Sequence, residues 1–316
     1  MRLFFIPFML FFFISSVAQD THFSQFTISS FLLNPALVGV QKADYKLTLQ
    51  RKSQWESIGI PFKTLTFSFE KNNLLNTNSI GAQFINDIAG DSRFKTSGFN
   101  IAYSKRIITN TKNSFAIGAE LGFFQRSIIF DNLIFIEPEN LSNLNFLFTD
   151  INLGIANFYK LNDNSNIESG IAVYHINKPN QSLFSYEKIP LNPKINFHLR
   201  FDYIYSYNLS FHPKVLLTEQ YTESEFIFGC DVNYLLNNQQ DAILKLGIAD
   251  RLDDAIIFSF GLEIESLSCV VSYDINTSSL SEASNREGGL EVSLLYTWNI
   301  LKNRRVIENE KCPKYL

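Results

Sequence analysis

Residues 194–207 read KINFHLRFDYIYSY, and this stretch decides the fold class. Apolar side chains occupy every second position, beginning at Ile195 and ending at Tyr207. The alternate positions are polar apart from Ile204, and they carry Asn196, His198, Arg200, Asp202 and Ser206. A period of two is typical of a β-strand, because a helix face repeats about every 3.6 residues. The stretch therefore predicts a strand with one apolar and one polar face.

The same alternation recurs along the chain. Strand candidates lie at 44–51, 62–70, 79–87, 96–106, 113–123, 149–160, 166–176, 194–207, 208–218, 224–236, 242–250, 254–264, 267–275 and 289–299. A weaker additional candidate lies at 126–136. Short polar clusters separate many of them, but longer connections are expected at 132–148, 177–193 and 276–288. Short turns at one end and long loops at the other are typical of an outer-membrane barrel.

Alternation alone does not separate a membrane barrel from a soluble sandwich, because both bury one face of each strand. Three features favour the barrel. Many of the runs are long enough to cross a bilayer at the usual tilt. The polar face is rich in small residues, namely Gly118, Gly122, Gly154, Gly229 and Gly247. Aromatic residues suited to a membrane interface collect at strand ends: Tyr159, Tyr174, Tyr205, Tyr207, Tyr296 and Trp298. The sequence predicts an all-β fold, a single transmembrane antiparallel β-barrel of about 14 strands over residues 44–301.

The beginning of the chain predicts export. Arg2 precedes an apolar run from Leu3 to Ile14, and Ser16-Val17-Ala18 offers a small-x-small cleavage site. This layout is typical of a cleaved signal peptide over residues 1–18, because the apolar run is too short for a transmembrane helix. An even number of strands would leave both ends of the mature protein in the periplasm. We therefore expect a periplasmic N-terminal segment at 19–43 and a periplasmic tail at 302–316.

Composition argues against several functional classes. The formal net charge is -4, and no basic cluster indicates nucleic-acid binding. No metal-ligand spacing, phosphate loop or nucleophile elbow is present, so we expect no cofactor, no metal and no catalytic residue. The trio His198, Arg200 and Asp202 raises the alternative of an outer-membrane hydrolase. A charged lumen lining is the favoured interpretation, because no serine is tied to the trio by a recognisable spacing.

Several short motifs resemble those of the PorP/SprF family of type IX secretion system membrane proteins. The expected mature start, QDTHFSQF at 19–26, is similar to the family's QDPxFSQ, and LNPALVG at 33–39 is similar to YNPAxAG. Further matches are RKSQW at 51–55, NDIAG at 86–90, HINKP at 175–179, YDIN at 273–276, GGLE at 288–291 and CPKYL at 312–316. The departures are Thr21 in place of proline, Arg51-Lys52 in place of Tyr-Arg, and the closing Tyr-Leu. The motifs run in order from Gln19 to the last residues.

The resemblance implies a FadL-like outer-membrane barrel in the protein secretion and gliding machinery of the Bacteroidetes. Some members of the family are needed for secretion or surface attachment of one cargo, such as an adhesin, and none is known as an enzyme. The expected partners are outer-membrane lipid, periplasmic subunits of the type IX machine and a secreted surface protein. The alternative is a FadL-like or porin-like transporter of small or hydrophobic solutes.

The motifs supply the candidate structural or partner-contacting residues. Asn34, Pro35 and Gly39 suit a stiff, turn-rich segment, which either plugs the lumen, docks a periplasmic subunit or orders the barrel rim. Trp55, after Gln54, is interpreted as an interfacial anchor in preference to a binding hot spot. Cys312 and Pro313 belong to the expected tail.

Overall fold

The computed structural model describes residues 20–54, 60–75, 77–90, 94–128, 144–182, 188–237, 242–278 and 287–300. In these residues fourteen antiparallel strands form a closed barrel, in which each strand pairs with its neighbours in sequence and β1 pairs with β14. The strands are β1 Tyr45–Gln54, β2 Phe62–Leu75, β3 Asn78–Ala89, β4 Phe94–Ile108, β5 Asn113–Ile128, β6 Leu144–Asn162, β7 Ser165–Tyr174, β8 Lys194–Ile204, β9 Leu209–Gln220, β10 Glu223–Asn237, β11 Ala242–Arg251, β12 Ala255–Ile264, β13 Leu267–Asn276 and β14 Glu287–Trp298.

The predicted fold class is confirmed, and each of the fourteen strand candidates overlaps one observed strand. The weaker candidate at 126–136 begins in β5, which ends at Ile128, and its remainder lies outside the described residues. Burial alternates along the strands as predicted. In β8, Ile195, Phe197 and Leu199 are exposed on the outer surface, while Asn196 and His198 are buried inside. The outer face is therefore an apolar surface that suits hydrocarbon, and every strand is paired around the closed sheet.

The two ends of the barrel differ in their connections. At the end where β1 begins and β14 ends, the strands are joined by two to four residues, and we call this the short-turn end. At the opposite, long-loop end the connections range from two residues to the nineteen between β7 and β8. In outer-membrane barrels the short turns face the periplasm and the long loops face outward.

Aromatic rings form part of the expected girdle. Tyr45 stacks on Trp298 with ring centroids 5.1 Å apart, and Trp298 also stacks on Tyr296. Tyr174 does not belong to it, although its place at a strand end led us to expect this. Its side chain points inward, is buried, and donates a hydrogen bond to the Phe31 carbonyl at 2.8 Å.

A segment before β1 runs through the inside of the barrel. Residues 20–43, the lumen segment, contain the short helix α1 Ser30–Leu33 and a 3-10 helix at Pro35–Leu37. The segment begins beside Lys194 and Gln220 at the long-loop end and reaches the short-turn end before entering β1. The sequence predicts a periplasmic N-terminal segment at 19–43 and leaves open whether it plugs the lumen, docks a subunit or orders the barrel rim. The structure places residues 20–40 largely in the barrel lumen. There, inward-facing side chains and backbone groups of the strands satisfy the polar groups of the segment.

The remaining domain boundaries are only partly described. The observed strands span Tyr45–Trp298, inside the predicted barrel range of 44–301. The predicted signal peptide at 1–18 and the tail at 302–316 lie outside the described residues. Within the described residues, no helix is long and apolar enough to cross a membrane.

Candidate functional site

The lumen segment lies in a groove lined by glycine residues of the strands, which have no side chains to fill it. A Cβ atom placed on Gly118 would lie 2.3 Å from the Ala36 nitrogen, and one on Gly81 would lie 2.7 Å from a Val38 methyl. The equivalent atom on Gly154 would overlap the Asn34 side-chain oxygen. The small residues of the polar face therefore leave room for a second layer of polypeptide inside the barrel.

Asn34 is a fully buried polar residue of the lumen segment, with 0 % of its surface exposed. Its Nδ2 donates hydrogen bonds to the carbonyl oxygens of Ile155 and Ile171, at 2.9 and 3.3 Å. The same nitrogen lies 3.2 Å from Nε2 of His198. Its Oδ1 accepts from the Ala36 backbone N–H at 2.9 Å and caps the 3-10 helix that starts at Pro35. Proline suits this first helical position because its missing N–H has no partner there in any case.

Wall side chains also satisfy backbone carbonyl groups that the segment's irregular path leaves without partners in regular structure. Asn196 donates to the carbonyl oxygens of Leu32 and Leu33, both at 3.1 Å. Ser104 donates to the Ala36 carbonyl at 2.9 Å. A buried carbonyl without a partner is costly, so these contacts fix the depth of the segment in the lumen.

Gly39 marks the point where the segment turns at the short-turn end. Its φ of 72° lies in the left-handed region, and a Cβ there would overlap Ser79. Its N–H donates to Oε2 of the fully buried Glu70 at 2.7 Å. Lys46 pairs with the other Glu70 oxygen at 2.7 Å and donates to Ser30 at 2.8 Å. Glycine is thus required here for both its backbone conformation and its lack of a side chain.

A charged cluster holds the upper part of the segment near the long-loop end. It comprises Lys52, Glu225, Arg251, Asp274 and Glu291. The N–H groups of Ser24 and Gln25 donate to the two oxygens of Glu291, at 2.8 and 3.0 Å. The Ser24 hydroxyl meets Asp274 at 2.6 Å and Arg251 at 2.7 Å. Burial and the charges of Lys52 and Arg251 lower the pKa of the neighbouring His22 well below its usual value, so this ring is neutral.

The start of the lumen segment is held by side-chain ion pairs at the long-loop end. Asp20 lies 2.5 Å from His175 and 3.3 Å from Lys194. Burial lowers the pKa of His175, but the carboxylates of Asp20 and Asp150 outweigh burial and raise it to about 9. Burial raises the pKa of Asp20, yet the charges of His175 and Lys194 hold it well below its usual value. Both partners are therefore ionised at neutral pH.

Apolar contacts complete the seat. Phe26, Leu33 and Leu37 of the lumen segment form one buried cluster with wall residues, which are Ala116, Ala156, Leu216, Ile227, Ala249 and Ile257. Phe31 and Val38 pack on Ala102 in a second cluster. Side chains such as Ile227, which interrupt the polar inner face, are thereby buried under the segment.

The lumen keeps a less covered region beside β8–β12, toward the short-turn end, which we call the open half. The side chains of its ion pairs remain partly exposed to solvent. The exposed fractions are 33 % and 31 % for Arg200 and Asp202, 27 % and 30 % for Lys245 and Glu263, and 28 % for Asp231, which pairs with Lys214. Water therefore reaches these side chains, in contrast to the buried cluster around Ser24.

The predicted site residues fall into separate places. Asn34, Pro35 and Gly39 lie together in the lumen segment. Gln54 ends β1 and contacts Gly289 of β14, so it belongs to the closure of the barrel. Trp55, Cys312 and Pro313 lie outside the described residues.

The trio His198, Arg200 and Asp202 does not form one group in the structure. His198 faces Asn34 and Glu168, whereas Arg200 and Asp202 pair with each other at 2.8 Å and Asp202 contacts His212. In the part of the chain that the structure describes, no three His, Cys, Asp or Glu side chains are grouped as a metal site requires.

The chain matches one family model over residues 15–296, described as type IX secretion system membrane protein PorP/SprF. The match includes the whole lumen segment and all of the barrel except the last residues of β14. A search of curated proteins returns no match.

Solved outer-membrane barrels share the fold. A Pseudomonas aeruginosa FadL homologue is 10 % identical, with a TM-score of 0.50 and coverage of 84 % of this chain and 93 % of that chain. The Pseudomonas putida toluene transporter TodX and the CymD monoaromatic hydrocarbon channel are each 10 % identical, with TM-scores of 0.52 and coverages of 86 % and 93 %. The likeness is one of fold alone, and it confirms the predicted FadL-like barrel.

Proposed function

Because the chain belongs to the PorP/SprF family of type IX secretion system membrane proteins, we propose that one secreted cargo, such as an adhesin, needs this barrel for its secretion or surface attachment. Its place is the outer membrane, where its apolar outer face contacts lipid. Its other partners in this proposal are periplasmic subunits of the machine and the cargo itself.

The filled lumen is the observation that carries the proposal. A barrel built mainly for free passage of solutes keeps a continuous water-filled interior. Here residues 20–43 occupy the interior and are held by Glu70, Asn196 and Glu291 of the wall. This arrangement suits a protein that binds other proteins at its ends, and no step of that role requires catalysis.

The alternative is transport of small or hydrophobic solutes. The open half of the lumen is the feature that favours it, since water reaches the acid–base pairs there. A charged lining is a poor match for a hydrophobic solute, which needs apolar walls. The lumen segment also occupies part of the path that a solute would take through the barrel.

Deletion of the gene tests the proposal. We expect one or a few surface proteins to disappear from the surface proteome, measured by biotinylation of intact cells, while uptake of small solutes stays at the wild-type level. Reintroduction of the wild-type gene should restore display. Impaired uptake of many nutrients with all surface proteins still displayed would contradict the proposal and support the transporter.

A further inference from the structure

The open half of the lumen contains a serine, a histidine and an aspartate joined by hydrogen bonds. Ser210 Oγ lies 2.9 Å from His212 Nε2, and His212 Nδ1 lies 2.6 Å from Asp202 Oδ1. Ser210 and His212 are two positions apart in β9, so both side chains face inward. Asp202 reaches them from β8, across the hairpin turn. The three residues are half-buried, in the region that water reaches.

The hydrogen bonds determine which ring nitrogen can act as a base. The Asp202 carboxylate only accepts, so His212 Nδ1 carries the proton and donates to it. Nε2 is then left as an acceptor facing the Ser210 hydroxyl. Arg200 Nε donates to the same Asp202 oxygen at 2.8 Å and holds the carboxylate in place. This is the arrangement of nucleophile, base and orienting acid used in acyl-transfer enzymes.

Asn233 completes the group on the neighbouring strand β10. It lies directly opposite Ser210 in the sheet register, and its Nδ2 is 3.0 Å from His212 Nε2. A side-chain amide has two N–H donors. Nε2 has one lone pair, so the amide and the Ser210 hydroxyl share it. When Nε2 takes the serine proton, the amide N–H groups are available to an oxyanion that forms beside Ser210.

The ladder between β8 and β9 lacks two pairs at this point, although its register does not change. The pairing of β8 with β9 passes from Arg200–Lys214 directly to Tyr203–Phe211, without the pairs that would involve Asp202 and Pro213. Proline has no backbone N–H to donate. The register is the same on both sides of this gap, so Asp202 and His212 lie opposite each other as cross-strand neighbours on the inner face.

We propose that Ser210, His212 and Asp202 form a nucleophilic site that cleaves esters of short acyl chains entering from the short-turn end. Ser210 Oγ attacks the carbonyl carbon while His212 Nε2 takes the hydroxyl proton. The bond from that carbon to the alcohol oxygen breaks, and His212 returns the proton to the leaving alcohol. Water then releases the acyl group as a carboxylic acid by the same transfers and restores Ser210.

The chemistry of the open half selects this substrate class. One apolar side chain, Ile204, lies opposite Ser210 and suits a short acyl chain. The charged side chains nearby include Lys214, Asp231 and Lys245, so a long acyl chain would lack apolar contacts. The triad also faces the lumen and not the lipid. A water-soluble ester is therefore favoured over a membrane phospholipid.

The test is labelling of the purified full-length barrel with a fluorophosphonate probe, located by mass spectrometry, together with hydrolysis of p-nitrophenyl acetate. We expect an adduct on Ser210 that is absent in Ser210→Ala. In His212→Ala the labelling rate should fall by about a hundredfold or more, as expected on loss of a general base. Asp202→Asn should lie between these, and Ser259→Ala, which changes an inward serine of β12, should label like the wild type.

Folding of each variant is checked by the slower gel migration that the barrel shows after boiling. A folded wild-type protein with no adduct on Ser210 would overturn the proposal. Equal labelling of the wild type and a folded His212→Ala variant would also overturn it, because a merely exposed serine needs no histidine.

Discussion

Replacement of Gly154 by leucine is expected to open the barrel to small solutes. The Cβ atom alone would overlap Asn34 Oδ1, and the backbone of β6 around it is paired on both sides. The leucine side chain therefore has to displace Asn34 from its bonds to Ile155 and Ile171. Overpacking typically costs about 1–3 kcal/mol, which corresponds to a shift of about five- to 150-fold toward the undocked segment.

The measurement is liposome swelling with sugars of increasing size, using wild type and variant at equal reconstitution. Ser259→Leu is the matched control, because it adds the same side chain to a half-buried inward position in β12. We expect this control to swell at the wild-type rate and Gly154→Leu to swell at least several times faster. Equal rates for all three proteins would show that the groove does not keep the segment in place.

Arg251→Ala should release the upper part of the lumen segment and destabilise the protein strongly. The Arg251 side chain is 3 % exposed and contacts Asp274, Glu225, Asp254 and Ser24. Its removal leaves buried carboxylates without their cation, and loss of one partner from a buried ion pair costs about 3–5 kcal/mol. The expected readouts are faster proteolysis near Ser24 and a lower midpoint for thermal unfolding of the barrel.

Two further variants serve as controls for the Arg251→Ala result. Arg251→Lys keeps the charge but not the planar fork of donors, so it should recover only part of the lost stability. Lys160→Ala breaks the exposed pair with Asp163, whose side chains are 48 % and 94 % exposed, and exposed pairs contribute at most about 1 kcal/mol. If Arg251→Ala unfolded and was digested like Lys160→Ala, the charged cluster would not hold the segment.

The barrel was predictable because the alternation of apolar and polar residues specifies which side chains of each strand face lipid and which face the lumen. In β5 and β8 each residue's face follows from its position in the alternation, and pairing with the next strand follows from short turns. Register is set by the same pattern, since a shift of one residue would turn the polar side chains of β8 toward lipid. Chain topology required no further information, because every strand pairs with its neighbours in sequence.

The course of the lumen segment was not predictable in the same way. Residues 20–43 contain only four residues of α-helix and a three-residue 3-10 helix, so their path depends on contacts with distant strands. The turn at Asn34-Pro35 and the flexibility of Gly39 were visible, but the wall carbonyls that bind Asn34 were not. Gly118 and Gly154 indicated a crowded lumen, yet glycine itself does not identify the polypeptide that fills the space.

The triad of the open half escaped sequence analysis for a geometrical reason. Ser210 and His212 share a strand face, but Asp202 comes from the preceding strand, and its place opposite His212 depends on the register between β8 and β9. The available signal was the position of Asp202 and His212 on either side of the hairpin turn at 205–208. The sequence raises an outer-membrane hydrolase from the trio His198, Arg200 and Asp202. The structure places His198 against Asn34 and Glu168, whereas Arg200 and Asp202 lie beside His212.

The most direct test of the central claim, that the chain's own N-terminal segment fills the barrel and starts at the long-loop end, uses native residues. A zero-length carbodiimide cross-linker joins an amine to a carboxylate only when the two touch, and Lys194 lies 3.3 Å from Asp20. Outer-membrane vesicles are treated and the digested protein is analysed by mass spectrometry, with Asp20→Asn as the negative control and the exposed Lys160–Asp163 pair, at 2.6 Å, as the reagent control. The account predicts a Lys194–Asp20 amide in the wild type and its loss in Asp20→Asn. A Lys160–Asp163 amide without any Lys194–Asp20 amide would contradict it.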